Sequence, residues 1–509
     1  MHSSARYVNR LAPLPSASRV GKKRYHDSMF LVAAAVLAAS AFAADRFEPI
    51  RAEIRKQLTA RGVPSLSIAL AEQGRIVWEE GFGWADRERR MPATEHTLYS
   101  LASISKPVTA TALMILVERG AIDLDKPIDD YLGAAKIRAR VGNPREATVR
   151  RVASHSAGLP LHYQFFYADE PHRRPSMDET ILRYANLVTA PGERYQYSNL
   201  GYGLLDYAIT RVSGRPWEDF LREEVFIPLG MTRSSGGLPA PLAPYASTRY
   251  TGDGAPIPYY DFDHPGGSAV WASAHDLARF GMFHLGTPLE DQKRILRAES
   301  IAEMMRSAVS TGEHTSYGIG WAIAERQGAE RIVSHTGSMG GVATSLRLVP
   351  SKKIALAVLC NANNSLPHDI ADAVFRLLMP GWQPPVGAGA APTREFRPGK
   401  ELAGKWKGEI ATYKASIPFS LDIRDDGEIV AQLGRQLRTL WSAASFRDGY
   451  LTGQMSGDVG TEDANRRPYV LQFSLKLRGG VLNGAATASS LPAQRAGNAL
   501  TSWAELRRQ

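Results

Sequence analysis

Strand-like alternation stands at both ends of a long stretch whose middle reads as helix, and this limits the folds open to the chain. Near the front, "SLSIALAEQGRIVWEEGFG" alternates Leu66, Ile68 and Leu70, turns at Gln73-Gly74 and alternates again, which predicts a β-hairpin. Before it, "RFEPIRAEIRKQLTARG" (Arg46–Gly62) carries apolar residues near helical spacing and stops at a glycine. Strand signals return only after about residue 315, in "YGIGWAIAE", "ERIVSHTG", "GVATSLRLVP" and "KKIALAVLCNA", with the helical "HDIADAVFRLLM" behind them. The economical solution is an α/β domain over 45–382, with one sheet assembled from both ends and a mainly helical insertion between them.

The remaining residues divide into two kinds. "GKKRYHDS" followed by "MFLVAAAVLAAS" and "AFA" has the charge, short apolar core and A-x-A site of a signal peptide cleaved after Ala43, so residues 1–43 read as an N-terminal extension and signal. The apolar run is shorter than the roughly 20 residues of a membrane span. The mature protein is therefore expected to be exported, with the periplasm as its compartment and no stable membrane span. Residues 383–399 are rich in Pro, Gly and Ala and read as a linker. Beyond them, "SIPFSLDI", "EIVAQL", "YVLQFSLKL" and "LTSWAELR" alternate between turn signals, predicting a small all-β barrel of about eight strands over 400–509.

Charge and cysteine narrow the function classes. Of the +10 net charge, six Lys/Arg against one Asp lie in residues 1–44, and 17 Lys/Arg against 12 Asp/Glu lie from Ala391 onward. Residues 45–390 are thus close to neutral, and no nucleic-acid stripe is indicated. The single cysteine, Cys360, excludes an intrachain disulfide and sits in an apolar run that predicts a buried, inert thiol. No H-E-x-x-H, C-x-x-C, G-x-S-x-G or P-loop pattern occurs, and the twelve histidines are scattered, so no metal or other cofactor is expected.

The chemistry-bearing pattern begins at "SISK". Ser103 precedes Lys106 by three residues at the head of a helix-like apolar run, so the two side chains share a face. A serine hydroxyl becomes a nucleophile when a neighbour takes its proton, and a lysine does so only when neutral, a state that desolvation favours. The competing reading is an N-cap serine and a surface lysine. "GERYQYSNLGYGLL" adds Tyr197 and Asn199, a proton relay and an amide holder, or simply a turn. "IVSHTGSMGG" adds His335-Thr336-Gly337 at a strand end, where a glycine lets a substrate backbone lie close and backbone N–H groups form an oxyanion hole.

In this order and spacing the three motifs resemble the serine β-lactamase and penicillin-binding protein superfamily, specifically its class C β-lactamase and D-alanyl-D-alanine carboxypeptidase branch. "VASHSAGLP", "GGSAVWASAHDLARF" and "YGIGW" are similar to that family too, and the likeness covers roughly residues 47–380. "LAGKWKGEI" resembles the opening of lipocalin-like barrels. The resemblance implies an antiparallel sheet flanked by helices and an acyl-enzyme on Ser103. Lys106 would be the base, alone or shared with Tyr197, and Tyr197 would protonate the leaving group. Asn199 would orient the substrate, His335 and Thr336 would meet a substrate carboxylate, and Gly337 would open the strand edge. The N–H groups of Ser103 and Ser338 would stabilise the oxyanion. Histidine rather than lysine at 335 tilts the expected substrates toward D-amino-acid peptides, cell-wall fragments included, with β-lactams second. Two alternatives stay open: a penicillin-binding sensor that is acylated without turnover, and a carboxylesterase.

Overall fold

The computed structural model describes residues 45–325, 329–383 and 396–509. The signal segment 1–43 and most of the linker 383–399 lie outside the described residues. The unit Met1–Ala52 is described only from Asp45, where it begins helix α1 (Glu48–Arg61).

From Glu53 to Gln509 the chain forms one compact unit built on two antiparallel sheets. The first contains β1 (Ser65–Glu72), β2 (Arg75–Asp86), β3 (Met91–Pro92), β6 (Val309–Gly312), β7 (Thr315–Tyr317), β8 (Ala322–Ala324), β9 (Ile332–Met339), β10 (Val342–Val349) and β11 (Ile354–Cys360). Two short strands precede β6 in the chain, β4 (Phe165–Tyr167) and β5 (Tyr260–Phe262), and they pair with each other. The order in the large sheet is β6-β7-β8-β9-β10-β11-β1-β2-β3. The front hairpin therefore enters beside the last strand, with Leu66 opposite Cys360 and Leu70 opposite Leu356. Cys360 is buried, as its apolar run implies.

The alternation in β1 is one of size rather than polarity. Ser65 through Ala71 are all buried, because helices cover both faces. Ala69, Ala71, Ala355 and Ala357 share one face by register, and their small side chains let helix α4 (Ala274–His284) approach closely. A Cβ at Gly281 of that helix would stand 2.6 Å from the Cβ of Ala355. Helix α5 (Leu366–Leu378) covers the opposite face, where Arg347 reaches Asp372 at 2.5 Å. The helical middle contributes α2 (Ser105–Glu118) and α3 (Asn199–Ser213), which pack on each other. Twelve successive residues of α2, Ser105 to Leu116, are buried, so it is a central helix and not a surface one.

The second sheet has nine strands rather than the eight expected: β12 (Gly404–Ala411), β13 (Ser416–Ile423), β14 (Ile429–Leu433), β15 (Thr439–Leu440), β16 (Ser442–Arg447), β17 (Tyr450–Met455), β18 (Tyr469–Arg478), β19 (Val481–Ser490) and β20 (Ala499–Arg508). Its two edge strands, β15 and β16, are consecutive in the chain with only Trp441 between them, so the sheet is a nearly closed barrel. The extra strand escaped the sequence reading because "TLWSAASFR" has weak alternation. Trp441 occupies the seam, its indole tilted against Phe473, which in turn stacks on Phe419. These inward rings fill the barrel as side chains do in small barrels. Replacing Trp441 with alanine removes the seam's packing and is expected to cost about 3–5 kcal/mol. Denaturant unfolding of the intact protein, followed by tryptophan fluorescence, measures it.

Candidate active site

Ser103 lies in a 3-10 turn, Ala102–Ile104, ahead of α2 rather than on its first turn. Ala102 holds φ +49°, a left-handed conformation that costs an L-residue strain and is kept where packing over-determines it. The N-cap reading of Ser103 fails: α2 starts at Ser105 after an Ile104 cap that makes no side-chain bond. Instead Ser103 Oγ lies 3.1 Å from Lys106 Nζ and accepts a hydrogen bond from Tyr197 Oη at 2.8 Å.

Lys106 is the centre of the arrangement. Its amine is fully buried and donates to Asn199 Oδ1 at 2.8 Å and to the Gly267 carbonyl at 2.9 Å. Both partners are pure acceptors. With two N–H groups so committed, a neutral amine turns its lone pair toward Ser103. Burial drives the lysine pKa well below its ordinary 10.5. The enclosure is aromatic, with the Nζ 4.7 Å from the Tyr197 ring centre and 5.6 Å from that of Tyr202. Burial raises the pKa of Tyr197 beyond the ordinary tyrosine range, so it stays a phenol and a proton donor.

Tyr197, Ser198 and Asn199 are fixed by local structure. Ser198 caps α3, accepting from the Gly201 N–H, which places Asn199 at the first helical position. Asn199 Nδ2 donates to the His162 carbonyl at 3.1 Å, which fixes the amide whose oxygen holds Lys106. Asp263 accepts from His162 Nε2 and His264 Nδ1, both at 2.8 Å, and these partners outweigh burial to keep the carboxylate ionised. The atoms of this buried trio lie within 4.8 Å of one another. The sequence hid the cluster because His162 and Asp263 stand 101 positions apart. Its visible work is to anchor the carbonyl that holds Asn199.

Strand β9 separates the residues expected to act together. Gly337 faces the 3-10 turn Ala102–Ile104 and His335 is buried on the same side of the strand, whereas Thr336 is exposed on the side it shares with Ser338 and is not among the cleft-lining residues. His335 is buried and bonded at both ring nitrogens, Nε2 to Tyr317 Oη at 2.9 Å and Nδ1 to the Thr336 carbonyl at 2.8 Å. Burial and the nearby Lys106 push its pKa down to about 3. Desolvation thus favours the neutral imidazole, and alternation sends the His335 and Thr336 side chains to opposite sides of the strand, so the structure does not bring the two together. Gly337 is required by a close approach, since a Cβ there would lie 2.0 Å from the Leu101 carbonyl. Ser338 follows it and lines the cleft with Ser103 and Asn199.

Three contributors went unassigned in the sequence. His155, inside "VASHSAGLP", packs 4.3 Å from the Tyr197 ring and accepts the Ser198 N–H at 3.1 Å. Gly267 supplies its carbonyl to Lys106. The third is the barrel loop Ser490–Gly497, which forms one wall of the roughly 510 Å³ cleft at Ser103. Tyr163, Phe165, Ile257 and Phe262 form an apolar part of the lining. Tyr163 exchanges two backbone hydrogen bonds with Ala499, at 3.1 and 2.9 Å, which ties the loop's end to the catalytic part. Arg495, the one charged residue of the lining, is spent on Asp169 and Glu170.

A serine whose hydroxyl meets a desolvated lysine and a phenol, under a sheet built from both ends of the domain, defines an acyl-transfer hydrolase scaffold. The chain belongs to the beta-lactamase family, whose Beta-lactamase model matches residues 50–379. It is 25% identical over 327 residues to penicillin-binding protein 4* of Bacillus subtilis (strain 168), covering 60% of this chain and 70% of that one. The octameric penicillin-binding protein homologue from Pyrococcus abyssi superposes with a TM-score of 0.58 at 24% identity over 90% of this chain and 99% of its own. SurE with D-Leu superposes with a TM-score of 0.58 at 19% identity over 91% and 99%. The breadth of both superpositions shows that the shared fold extends beyond the family-matched part of the chain.

The geometry sets a pH dependence. Lys106 accepts a proton only when neutral, so acylation is lost as pH falls through its depressed pKa and gained as pH rises. His335, near 3, and Tyr197, above 10, do not titrate between. The expected profile of kcat/KM has a single acid limb with an apparent pKa well below 10.5. Lys106→Met should abolish both the limb and acylation, read by intact mass after exposure to an activated ester, while circular dichroism keeps its native shape.

Proposed function

We propose that the protein is an exported serine hydrolase that cleaves amide or ester bonds through a Ser103 acyl-enzyme. The observation that carries this reading is the buried Lys106 Nζ, held by two neutral acceptors and 3.1 Å from Ser103 Oγ. Ser103 Oγ bonds to the carbonyl carbon as its proton passes to Lys106 Nζ. The carbonyl oxygen takes up the negative charge against the N–H groups of Ser103 and Ser338. Collapse breaks the bond to the leaving group, which takes the Tyr197 proton, and Tyr197 recovers one from the Lys106 ammonium. Water then repeats the sequence on the acyl-enzyme and frees Ser103.

Its substrates are short compounds containing D-amino acids, presented as uncharged amides or esters. The charge of Arg495 is neutralised by Asp169 and Glu170, and His335 is neutral, so a free carboxylate meets no unpaired cation among the lining residues. This favours D-amino-acid amides and esters over β-lactams and over peptides bound by a C-terminal carboxylate. The SurE structure with D-Leu supports a D-configured ligand on this fold.

A panel of D- and L-amino-acid amides, esters, D-Ala-D-Ala peptides and β-lactams tests the reading. Wild type should turn over D-amides or D-esters at least about tenfold faster than carboxylate-bearing analogues. Ser103→Ala should be inactive on all of them. Equal labelling of wild type and Ser103→Ala by a fluorescent penicillin sinks the nucleophile assignment, and a label that persists without turnover makes the protein a sensor. Replacing Leu491–Ala496 with a Gly/Ser segment of equal length should raise kcat/KM for a bulky ester relative to p-nitrophenyl acetate by about tenfold. An unchanged ratio denies the loop a role in selecting substrate size.

A further inference from the structure

The barrel touches the catalytic part in a second place, away from the cleft wall. Glu193 lies four residues before Tyr197, in the segment "PGERYQYSN". One of its carboxylate oxygens accepts from Tyr450 Oη at 2.6 Å and lies 3.0 Å from Lys476 Nζ. The other accepts from Arg478 Nη2 at 2.6 Å and from the Ala190 N–H at 3.2 Å. Burial works to raise this carboxyl's pKa, but its partners prevail and hold it down at about 2. The next residue, Arg194, sits 3.9 Å over the Tyr450 ring and donates to Gln196 Oε1 at 2.7 Å and to Ser474 Oγ at 3.4 Å.

These barrel groups form one designed-looking row for a geometric reason. Ser474, Lys476 and Arg478 are alternate residues of β18 and so share its outer face, while Leu475 and Leu477 between them point inward or sideways into the apolar layer. Tyr450 of β17 stands directly opposite Lys476 in the register, which sets its hydroxyl beside the lysine amine. An outer barrel face is ordinarily solvated. Here four positions of it, Tyr450, Ser474, Lys476 and Arg478, grip two residues of the segment that carries Tyr197. The other side of that segment is held by the catalytic part, where the Gln196 N–H donates to the His155 carbonyl at 2.7 Å and the Gly192 N–H to that of Ser156 at 2.7 Å.

We propose that the barrel positions Tyr197, through Glu193, for proton delivery to the leaving group. Tyr450, Lys476 and Arg478 are positioning residues: they touch neither Ser103 nor Lys106, and act by fixing the backbone that presents the phenol. The inference rests on the reading of Tyr197 as the leaving-group acid. It has a signature that a merely stabilising contact lacks. A leaving group that departs without a proton, such as p-nitrophenolate, does not depend on the phenol's placement. An alkyl amide or anilide, whose nitrogen must be protonated to depart, does.

The test compares the full-length wild type with Tyr450→Phe, Glu193→Gln, Arg478→Met and Arg478→Lys, each checked for native circular dichroism. The readout is the ratio of kcat/KM for a D-amino-acid anilide to that for the matching p-nitrophenyl ester. We expect this ratio to fall at least about tenfold in Tyr450→Phe, Glu193→Gln and Arg478→Met, and to recover in Arg478→Lys, which restores a cation to Glu193. Tyr450→Phe removes a single hydroxyl, so it keeps the test open if the charge variants fold poorly. Proportional losses on both substrates, or no change on either, overturn the proposal while leaving the hydrolase assignment intact. A wild type that acylates with neither substrate removes that assignment and this inference with it.

Discussion

A lysine amine buried without a carboxylate is the constraint around which the catalytic part is arranged. Desolvating an ammonium costs several kcal/mol, and an isolated buried charge relieves that cost by giving up its proton. Lys106 is enclosed by the rings of Tyr197 and Tyr202 and held by two neutral acceptors, Asn199 Oδ1 and the Gly267 carbonyl. A neighbouring Asp or Glu would stabilise the cation and keep the amine protonated, unable to accept the serine proton. The buried carboxylate of Asp263 is instead absorbed by His162 and His264. Holding the amine this way fixes several further features: Asn199 at the start of a capped helix, Gly267 in the one-turn helix Pro265–Ser268, and His335 uncharged beside it.

The neutrality of His335 follows from the same environment. Burial is the largest cause that lowers the imidazole pKa, as it is for the amine of Lys106. The histidine becomes a hydrogen-bonding spacer between Tyr317 and the β9 backbone. Recognition of substrate then falls on shape and on apolar contact, and this gives the barrel its significance. One barrel loop walls the cleft, and one outer barrel face grips the segment leading to Tyr197. The module at the chain's end is built into the site rather than tethered beside it.

Much of this was legible in the residue order. Ser103, Lys106, Tyr197 and Asn199 were singled out from spacing and local chemistry, and the structure brings all four within hydrogen-bonding reach. The sheet assembled from both ends was readable because hydrophobic alternation marks strands wherever they stand. Other features were not. Alternation alone did not reveal that β1 is covered on both faces, since Ser67 and Ala69 look polar or neutral in sequence and act as small residues under a helix. His335 and Thr336 are neighbours in the chain, yet adjacent strand residues point to opposite faces. The His162–Asp263–His264 trio and the Glu193–Arg478 contact join residues far apart in the chain, and no local pattern announces such pairs.

The sequence by itself determined the elements and the reactive groups: which runs become strand or helix, that Ser103 and Lys106 share one face, and that a second β module closes the chain. Periodicity and short spacing are local properties, and local physics is enough to settle them. Only the tertiary structure decided the state of those groups. Whether a lysine is neutral, a histidine uncharged or an arginine free depends on what surrounds it once distant segments have packed. Electrostatic cost and hydrogen-bond satisfaction are properties of that packed environment, assembled here from a hairpin at the front, a strand at the back and a barrel beyond both.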